Sequence, residues 1–315
     1  ALTTAQVIAM GTNQIAALNT SQISSLTTAQ VAALRTHEIA AIETNDLQAM
    51  TTNQFAAMTS TQVAALTTAQ IGKIETGDIA ALTTAALQGL TTNQISLNNG
   101  TTDQISVLTT DQLVAMTSAQ FAALKTTVLA AMNTTQINKI EAGDIAALTS
   151  AQIASMATNL IVAMNTDQFA ALKTAQVAAL TTDQIRVIET NDLQAMTTSS
   201  FAALKSAQVA AMTTLQINKI ETGDIAALTT SALQGLTTNQ ISLNNGTTDQ
   251  VTVLTTDQLV AMTSAQFAAL GTTILGAMNT NQINNIEASD IAALTTTQLV
   301  TLATNQIAAM NTDQL

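Results

Sequence analysis

The chain of 315 residues contains no cysteine, proline, tryptophan or tyrosine, and only one histidine. Without cysteine it can form no disulfide, no thiol nucleophile and no cysteine-ligated metal site. With five phenylalanines as its only aromatic residues, its core must be thin and built from Ile, Val, Leu, Met and Ala. His37, the single histidine, has no second histidine or cysteine with which to share a metal ion. We expect it to be an exposed residue in the first turn of a helix.

Basic residues are also scarce, with eight against twenty acidic residues and a net charge of -12. Such a surface repels nucleic acid and anionic membranes, so neither is an expected partner. No apolar run exceeds about five residues, whereas a membrane-spanning helix needs about 20. We found no pairing of acid, base, nucleophile or metal ligands that catalysis would require, and we therefore predict that the chain is not an enzyme.

An eight-residue repeat fills the chain, with the consensus Thr-x-Gln-Ile-Ala-Ala-Leu-Thr. The 39 octads begin every eight residues from Thr4 to Thr92, from Thr102 to Thr238 and from Thr248 to Thr312, with two extra residues at each interruption. Tandem repetition of this kind predicts one continuous solenoid over residues 1–315. We expect it to be a segment of a longer array.

The apolar residues of each octad stand at positions 4 and 7, as do Ile15 and Leu18. This spacing puts them on one face of a helix, and the two alanines between them favour helix as well. One continuous helix is excluded, because eight residues over two turns would shift the apolar stripe by about 80° per octad. The sequence therefore predicts an all-α solenoid of very short helices, about six residues each and one per octad. A β-solenoid with threonine ladders is the alternative.

Each short helix needs a residue that caps its N-terminus. We expect Thr at position 1 to be this N-cap, with Gln, Asp or Glu at position 3 in the first turn. A capping box with position 3 as its partner would move the cap one residue earlier. That position holds Arg35, Glu43 and Lys125 in some octads, and these are poor caps. Position 1 is the better assignment on sequence grounds.

Two longer patterns bear on the stacking of the helices. Phenylalanine and the pair Ile-Glu occur only in odd-numbered octads, which predicts layers of two octads and a rod on the order of 160 to 200 Å at 8–10 Å per layer. The chain also contains a duplication with a period of 146 residues, in which Ile74–Lys125 matches Ile220–Gly271 at 48 of 52 positions. The two-residue interruptions contain Asn-Gly in both copies, which predicts wider turns near residues 98–101 and 244–247.

Six copies of Glu-x-x-Asp span the junctions between octads. Two carboxylates beside turn carbonyls could hold Ca²⁺, which prefers oxygen ligands. In the simpler interpretation the Asp satisfies the N-terminus of the next helix and the Glu is solvated. The weak calcium candidates are Glu43, Asp46, Glu75, Asp78, Glu141, Asp144, Glu189, Asp192, Glu221, Asp224, Glu287 and Asp290.

Octads such as Thr68-Ala69-Gln70-Ile71 and Thr174-Ala175-Gln176-Val177, together with the long duplication, resemble the Thr/Ala/Gln-rich repeat regions of giant bacterial surface proteins, adhesin-like and exported by type I secretion. The resemblance implies an extracellular or cell-surface protein. It does not include the glycine-rich calcium repeats common in that group.

From these patterns we expect a non-enzymatic structural scaffold that forms a rod, stalk, surface coat or fibre and assembles with itself, head to tail or laterally. The alternative is a binding module that displays residues such as Arg35, Lys125, Lys173 and Lys205 to a surface or matrix partner. A minor alternative is an ice-binding array of threonines. If Thr at position 1 is the N-cap, its hydroxyl turns back to the backbone and disfavours this last reading.

Overall fold

A computed structural model describes residues 2–96, 107–242 and 253–315, and all regular structure in these ranges is helical. One helix of four to six residues occurs in each described octad but the last, which confirms an all-α solenoid of short helices and not the β alternative. The wider turns predicted near 98–101 and 244–247 lie outside the described residues. The chain divides into two compact units, Ala1–Met156 and Ala157–Leu315.

The helices of the first unit are Thr4–Ile8, Thr12–Ala16, Thr20–Ser24, Thr28–Ala33, Thr36–Ala41, Thr44–Gln48, Thr52–Ala56, Ser60–Ala65, Thr68–Ile71, Thr76–Ala81, Thr84–Leu87, Thr92–Ser96, Thr110–Val114, Ser118–Ala123, Thr126–Ala131, Thr134–Lys139, Ala142–Ala147 and Ser150–Ser155. Those of the second unit are Thr158–Ala163, Thr166–Ala170, Thr174–Val177, Thr182–Val187, Thr190–Ala195, Thr198–Ala202, Ser206–Ala211, Thr214–Lys219, Thr222–Ala227, Thr230–Leu233, Thr238–Ser242, Thr256–Val260, Ser264–Ala268, Thr272–Ala277, Thr280–Asn285, Ala288–Ala292, Thr296–Leu299 and Thr304–Ala308.

Within each unit a helix packs on the helix that lies three octads further along the chain. In the first unit Thr36–Ala41 packs on Ser60–Ala65, and in the second unit Thr198–Ala202 packs on Thr222–Ala227. One turn of the solenoid therefore contains three helices, one from each of three successive octads. The predicted layer of two octads is wrong. The extended cap residue between two helices changes the direction of the chain, and after three such changes the chain packs on the helix three octads earlier.

The apolar anchors at positions 4 and 7 form the core, as predicted. Ile39 and Ile42 are 0% and 3% exposed, and the bulkier pair Phe55 and Met58 is buried to the same degree. Helices of this length are not stable alone in water, since each has too few internal hydrogen bonds to offset the cost of its first turn. Their stability must therefore come from burying these anchors against the turns above and below.

The N-cap residue precedes position 1, and our assignment of Thr at position 1 as the cap is wrong. Thr27 has extended backbone at φ -72° and ψ 158°, and its Oγ1 accepts a hydrogen bond from the Gln30 N–H at 3.2 Å. The Thr27 N–H in turn donates to Gln30 Oε1 at 2.7 Å, which completes a capping box. Poor cap residues are tolerated because this second bond needs only their backbone, as in Lys205 N–H to Gln208 Oε1 at 2.8 Å.

Adjacent turns come very close together at Gly89 and at Gly235, which occupies the same place in the second copy of the duplication. A Cβ atom added at Gly89 would overlap the backbone carbonyl of Ser60 in the preceding turn, and Gly235 stands in the same relation to Ser206. Gly77, in the exposed part of its helix, would meet no atom within 4 Å. We therefore expect alanine to have opposite effects on stability at these two kinds of glycine.

We expect Gly89→Ala to lower the free energy of unfolding by about 1–3 kcal/mol, because a backbone carbonyl cannot move aside as a side chain would. Gly77→Ala should be neutral or raise it by up to about 1 kcal/mol, because alanine favours helix. Urea unfolding followed by circular dichroism measures both. Equal effects of the two variants would show that the turns are not in contact at Gly89.

Candidate functional site at position 3 of the repeat

Every buried polar or charged side chain among the described residues stands at position 3 of its octad. Position 3 is Gln in 26 of the 39 octads and Asp in six others. A buried polar group is costly unless it is hydrogen-bonded, so such a regular set must have regular partners. We call these side chains the position-3 site and describe its Gln, Glu and Asp forms in turn; Ser200 is the one other buried polar residue at this position among those described.

In the commonest form a glutamine amide uses its acceptor and both of its donor hydrogens. Gln54 Oε1 accepts from the N–H of its own cap residue Thr51 at 2.7 Å. Gln54 Nε2 donates to the carbonyl oxygens of Ile23 at 3.0 Å and Leu26 at 2.7 Å. These carbonyls lie just before the cap residue Thr27, which stands three octads before Thr51. One side chain therefore satisfies three backbone groups at the corners of two successive turns, which the ends of short helices would otherwise leave without partners.

The same bonds recur along both units, and we call the series the glutamine ladder. In Gln62, for example, Nε2 donates to the carbonyls of the residues 28 and 31 positions earlier. We call these two separations the ladder offsets. Across the first two-residue interruption the offset grows by two, so that Gln120 donates to Leu90 at 2.8 Å. The described residues on either side of the interruption thus keep the same stacking. Members with both bonds at the regular offsets include Gln62, Gln70, Gln94, Gln152, Gln208, Gln216, Gln240, Gln298, Gln306 and Gln314.

We expect Gln62→Ala to lower the free energy of unfolding by about 3 kcal/mol, because it leaves the Thr59 N–H and the Val31 and Leu34 carbonyls buried without this partner. Gln14→Ala is the matched control. Gln14 is exposed and its amide caps only Gly11, so the change should cost less than about 1 kcal/mol. Similar losses in the two variants, measured by urea unfolding, would contradict a stabilising role for the bonds between turns.

The second form divides the two roles of glutamine between two side chains. Glu38 is fully buried and accepts from the Arg35 N–H at 2.7 Å, as Gln Oε1 does elsewhere. A carboxylate cannot donate, and the Arg35 guanidinium both pairs with Glu38 and donates from Nη2 to the carbonyl of Met10 at 3.0 Å. Met10 precedes Glu38 by the shorter of the two ladder offsets. The ion pair therefore reproduces the cap bond and one of the two carbonyl bonds of a glutamine, with the buried charge neutralised by its partner.

The third form is the Asp of the Glu-x-x-Asp pairs. In all six pairs the Asp is buried at position 3, whereas the Glu is the exposed cap residue before it and makes no side-chain capping bond. In five of the six pairs the Asp instead accepts a hydrogen bond from the position-1 hydroxyl of the helix beneath it. Ser118 Oγ donates to Asp144 Oδ1 at 2.6 Å, and Thr166 Oγ1 donates to Asp192 Oδ1 at 2.9 Å.

The two carboxylates of each pair are thus held in different environments. Across the described ranges, no three side chains of the His, Asp or Glu type come together in a way that could hold a metal ion. The carboxylates of five of these aspartates already accept a hydrogen bond from a hydroxyl. Calcium binding by the pairs stays a hypothesis drawn from the sequence.

Burial raises the pKa of Asp78, Asp144, Asp192 and Asp224, an effect that the hydroxyl bond opposes and the neighbouring Glu reinforces. A folded-state pKa above the ordinary value means that the folded chain binds the proton more tightly than the unfolded chain. These groups therefore favour folding most below their ordinary pKa of about 4, and this contribution is lost as the pH rises through the raised pKa.

We expect Asp224→Asn to raise the melting temperature at pH 7 and to reduce the gain in stability that the wild type shows between pH 7 and pH 4. The amide oxygen of Asn can still accept from the Thr198 hydroxyl that bonds Asp224. Asp183→Asn removes the same charge from an exposed position-2 residue and should leave the gain unchanged. Thermal melts followed by circular dichroism at both pH values compare them. If both variants reduce the gain in stability between pH 7 and pH 4 equally, the gain comes from general charge repulsion and not from the buried carboxylate.

The other residues singled out from the sequence lie at the surface. His37 is exposed in the first turn of its helix, as predicted. Lys73, Lys139 and Lys219 have exposed side chains at position 6. The basic residues of the binding-module alternative cap four different helices, and one of them, Arg35, is engaged with Glu38.

Threonine at position 1 is the first helical residue, and its hydroxyl is therefore not used for capping. The exposed hydroxyl at this position recurs once per octad in most of the described repeats. Our reason for disfavouring an ice-binding array depended on position 1 being the N-cap, and that reason no longer holds. The ice-binding alternative stays a hypothesis.

Sequence reasoning missed the part that Gln plays between turns. We assigned position 3 to the first turn and its capping, and did not predict that the side chain is buried against the preceding turn. The signal was present in the sequence, because position 3 is far more restricted to Gln than the exposed position 2 is to any residue. A first-turn role alone would not require that restriction.

Comparison with known proteins gives one repeat family. Its model, described as the ALTTAQ repeat, matches well over half of the chain, at residues 1–36, 39–73, 71–97, 137–174, 161–187, 185–219, 217–243 and 283–315. No curated protein matches the chain. Among the described residues, no helix combines the length and apolar character needed to cross a membrane.

Proposed function

Because the chain belongs to the ALTTAQ repeat family, we propose that it is a non-enzymatic structural scaffold, elongated along its stacking direction and located outside the cell or on its surface. The observation that carries the proposal is the glutamine ladder. It makes the same bonds at successive turns, so turns can be added without any new kind of contact. A scaffold that acts by its length requires such an open-ended interaction.

The chemistry of the position-3 site supports the same proposal. Its buried polar side chains bond to backbone groups or to hydroxyls of the adjacent turn, and the bonds hold the turns together. The acidic surface, with a net charge of -12, keeps a long array soluble by mutual repulsion. The extracellular location rests on the composition and on the resemblance to bacterial surface proteins.

The ladder also suggests how the scaffold assembles. In the first turn Gln6, Gln14 and Gln22 are exposed, and their Oε1 atoms cap Thr3, Gly11 and Asn19 as elsewhere. Their Nε2 donors face no preceding turn within the 315 residues. In the last turn Ile307, a core residue at position 4, is 41% exposed. Because each turn offers the next the same carbonyls, a turn of a second copy can accept the same bonds, and we propose head-to-tail stacking on this basis.

We expect the purified 315-residue chain to form oligomers or fibres as its concentration rises. Gln14→Glu with Gln22→Glu should reduce assembly strongly, because a carboxylate can cap the helix but cannot donate to a carbonyl. Asn13→Asp with Ser21→Asp adds the same charge to the same helices at exposed position 2 and is the control. Sedimentation and electron microscopy measure assembly. Monomers at all concentrations, or equal effects of the two variants, would refute head-to-tail stacking through the ladder.

A further inference from the structure

All five phenylalanines share a relation that the glutamine ladder does not require. Each stands at position 4 of its octad, and the octad three further along the chain has Asp at position 3. Phenylalanine and aspartate therefore occupy stacked helices in adjacent turns. Every Phe octad is odd-numbered and, because the separation is three octads, every paired Asp octad is even-numbered, so no two-octad layer is needed to explain this relation. The pairs are Phe55 and Asp78, Phe121 and Asp144, Phe169 and Asp192, Phe201 and Asp224, and Phe267 and Asp290.

The two helices of each pair are joined by a direct bond. The residue three before the Phe, at position 1, donates its hydroxyl to the Asp. Ser264 Oγ lies 2.6 Å from Asp290 Oδ1, and Thr52 bonds Asp78 in the same way. The phenylalanines themselves are 0–1% exposed and are the largest side chains in the core. Each pair thus combines a large apolar group with a buried, hydrogen-bonded acid one turn further along the chain.

The glutamine ladder cannot choose which turn stacks on which. Gln62 bonds to the carbonyls of Val31 and Leu34, but the octad before theirs presents Ile23 and Leu26 in the same way to Gln54. A slip by one octad would therefore preserve most of these bonds. The long duplication adds nearly identical alternatives. Backbone-directed bonds that are equal at every octad leave the register weakly specified.

We propose that the Phe–Asp pairs are specificity-determining residues that select the stacking register of the solenoid. A close-packed core accommodates the Phe ring beneath Asp, which is one methylene shorter than Gln, and is overpacked with Gln above it. In a slip by one octad Phe55 would lie beneath Gln70 or Ala86 instead of Asp78. The first arrangement crowds the core and the second leaves a void, so both disfavour the wrong register.

The chain supplies its own control in Asp46. This sixth Asp of the Glu-x-x-Asp motif is also buried at position 3, but position 4 of the octad three earlier holds Ile23 and not Phe. Glutamine at Asp46 would find the carbonyls of Ile15 and Leu18 at the ladder offsets. At Asp78 it would find those of Leu47 and Met50. The two sites thus offer Gln the same carbonyls and differ in the side chain beneath. The background of Phe55→Leu separates this difference from the loss of the hydroxyl bond that Thr52 gives Asp78.

The test is a double-mutant cycle on urea unfolding. Asp78→Gln should lower the unfolding midpoint, whereas Asp46→Gln should leave it unchanged or raise it. In the background of Phe55→Leu, the Asp78→Gln change should lose its destabilising effect. The proposal is overturned if Asp78→Gln and Asp46→Gln shift the midpoint equally, or if Phe55→Leu does not alter the effect of Asp78→Gln.

A second measurement addresses the register itself. Replacing all five phenylalanines by Leu and their five paired aspartates by Gln should keep the helical circular dichroism. Amide hydrogen exchange should lose its single pattern and show several protected populations after refolding. A single exchange pattern with wild-type protection in this variant would show that the pairs do not select the register.

Discussion

The structure depends on one interaction, the hydrogen bonds of the buried glutamine amide at position 3. A helix of one or two turns has more unpaired backbone groups at its ends than it has internal hydrogen bonds. Gln54 bonds to its own cap N–H and to two carbonyls of the preceding turn, so the ends of one helix are completed by another. The apolar anchors supply the burial, but the amide determines where the next turn lies.

The departures from Gln follow from the same requirement. Arg35 and Glu38 together reproduce one acceptor and one donor. A carboxylate cannot donate to carbonyls, and five of the aspartates accept from a hydroxyl of the helix beneath them. In each Phe–Asp pair, the Asp lies one turn after one of the largest side chains of the core. A change of residue at position 3 therefore changes how two adjacent turns of the solenoid meet.

Much of the fold followed from local pattern. The mismatch between the octad and the period of an α-helix requires a break in every octad, and the spacing of residues such as Ile39 and Ile42 identifies the buried face. The cap was misplaced because Arg35 and Lys125 were judged by their own side chains, whereas the backbone N–H of Arg35 is bound by Glu38 at position 3. Layers of two octads were inferred from the parity of Phe, which reflects stacking over a distance of three octads.

The sequence by itself determined one short helix per octad, an apolar core without large aromatic clusters, and a strongly acidic surface. These properties depend on composition and on neighbours within a single octad. Only the tertiary structure decided that three helices complete a turn, that position 3 is buried, and that Glu and Asp of each pair occupy different environments. Those properties depend on partners three to four octads away in the chain, and the local pattern of an octad does not identify which distant octad it will meet.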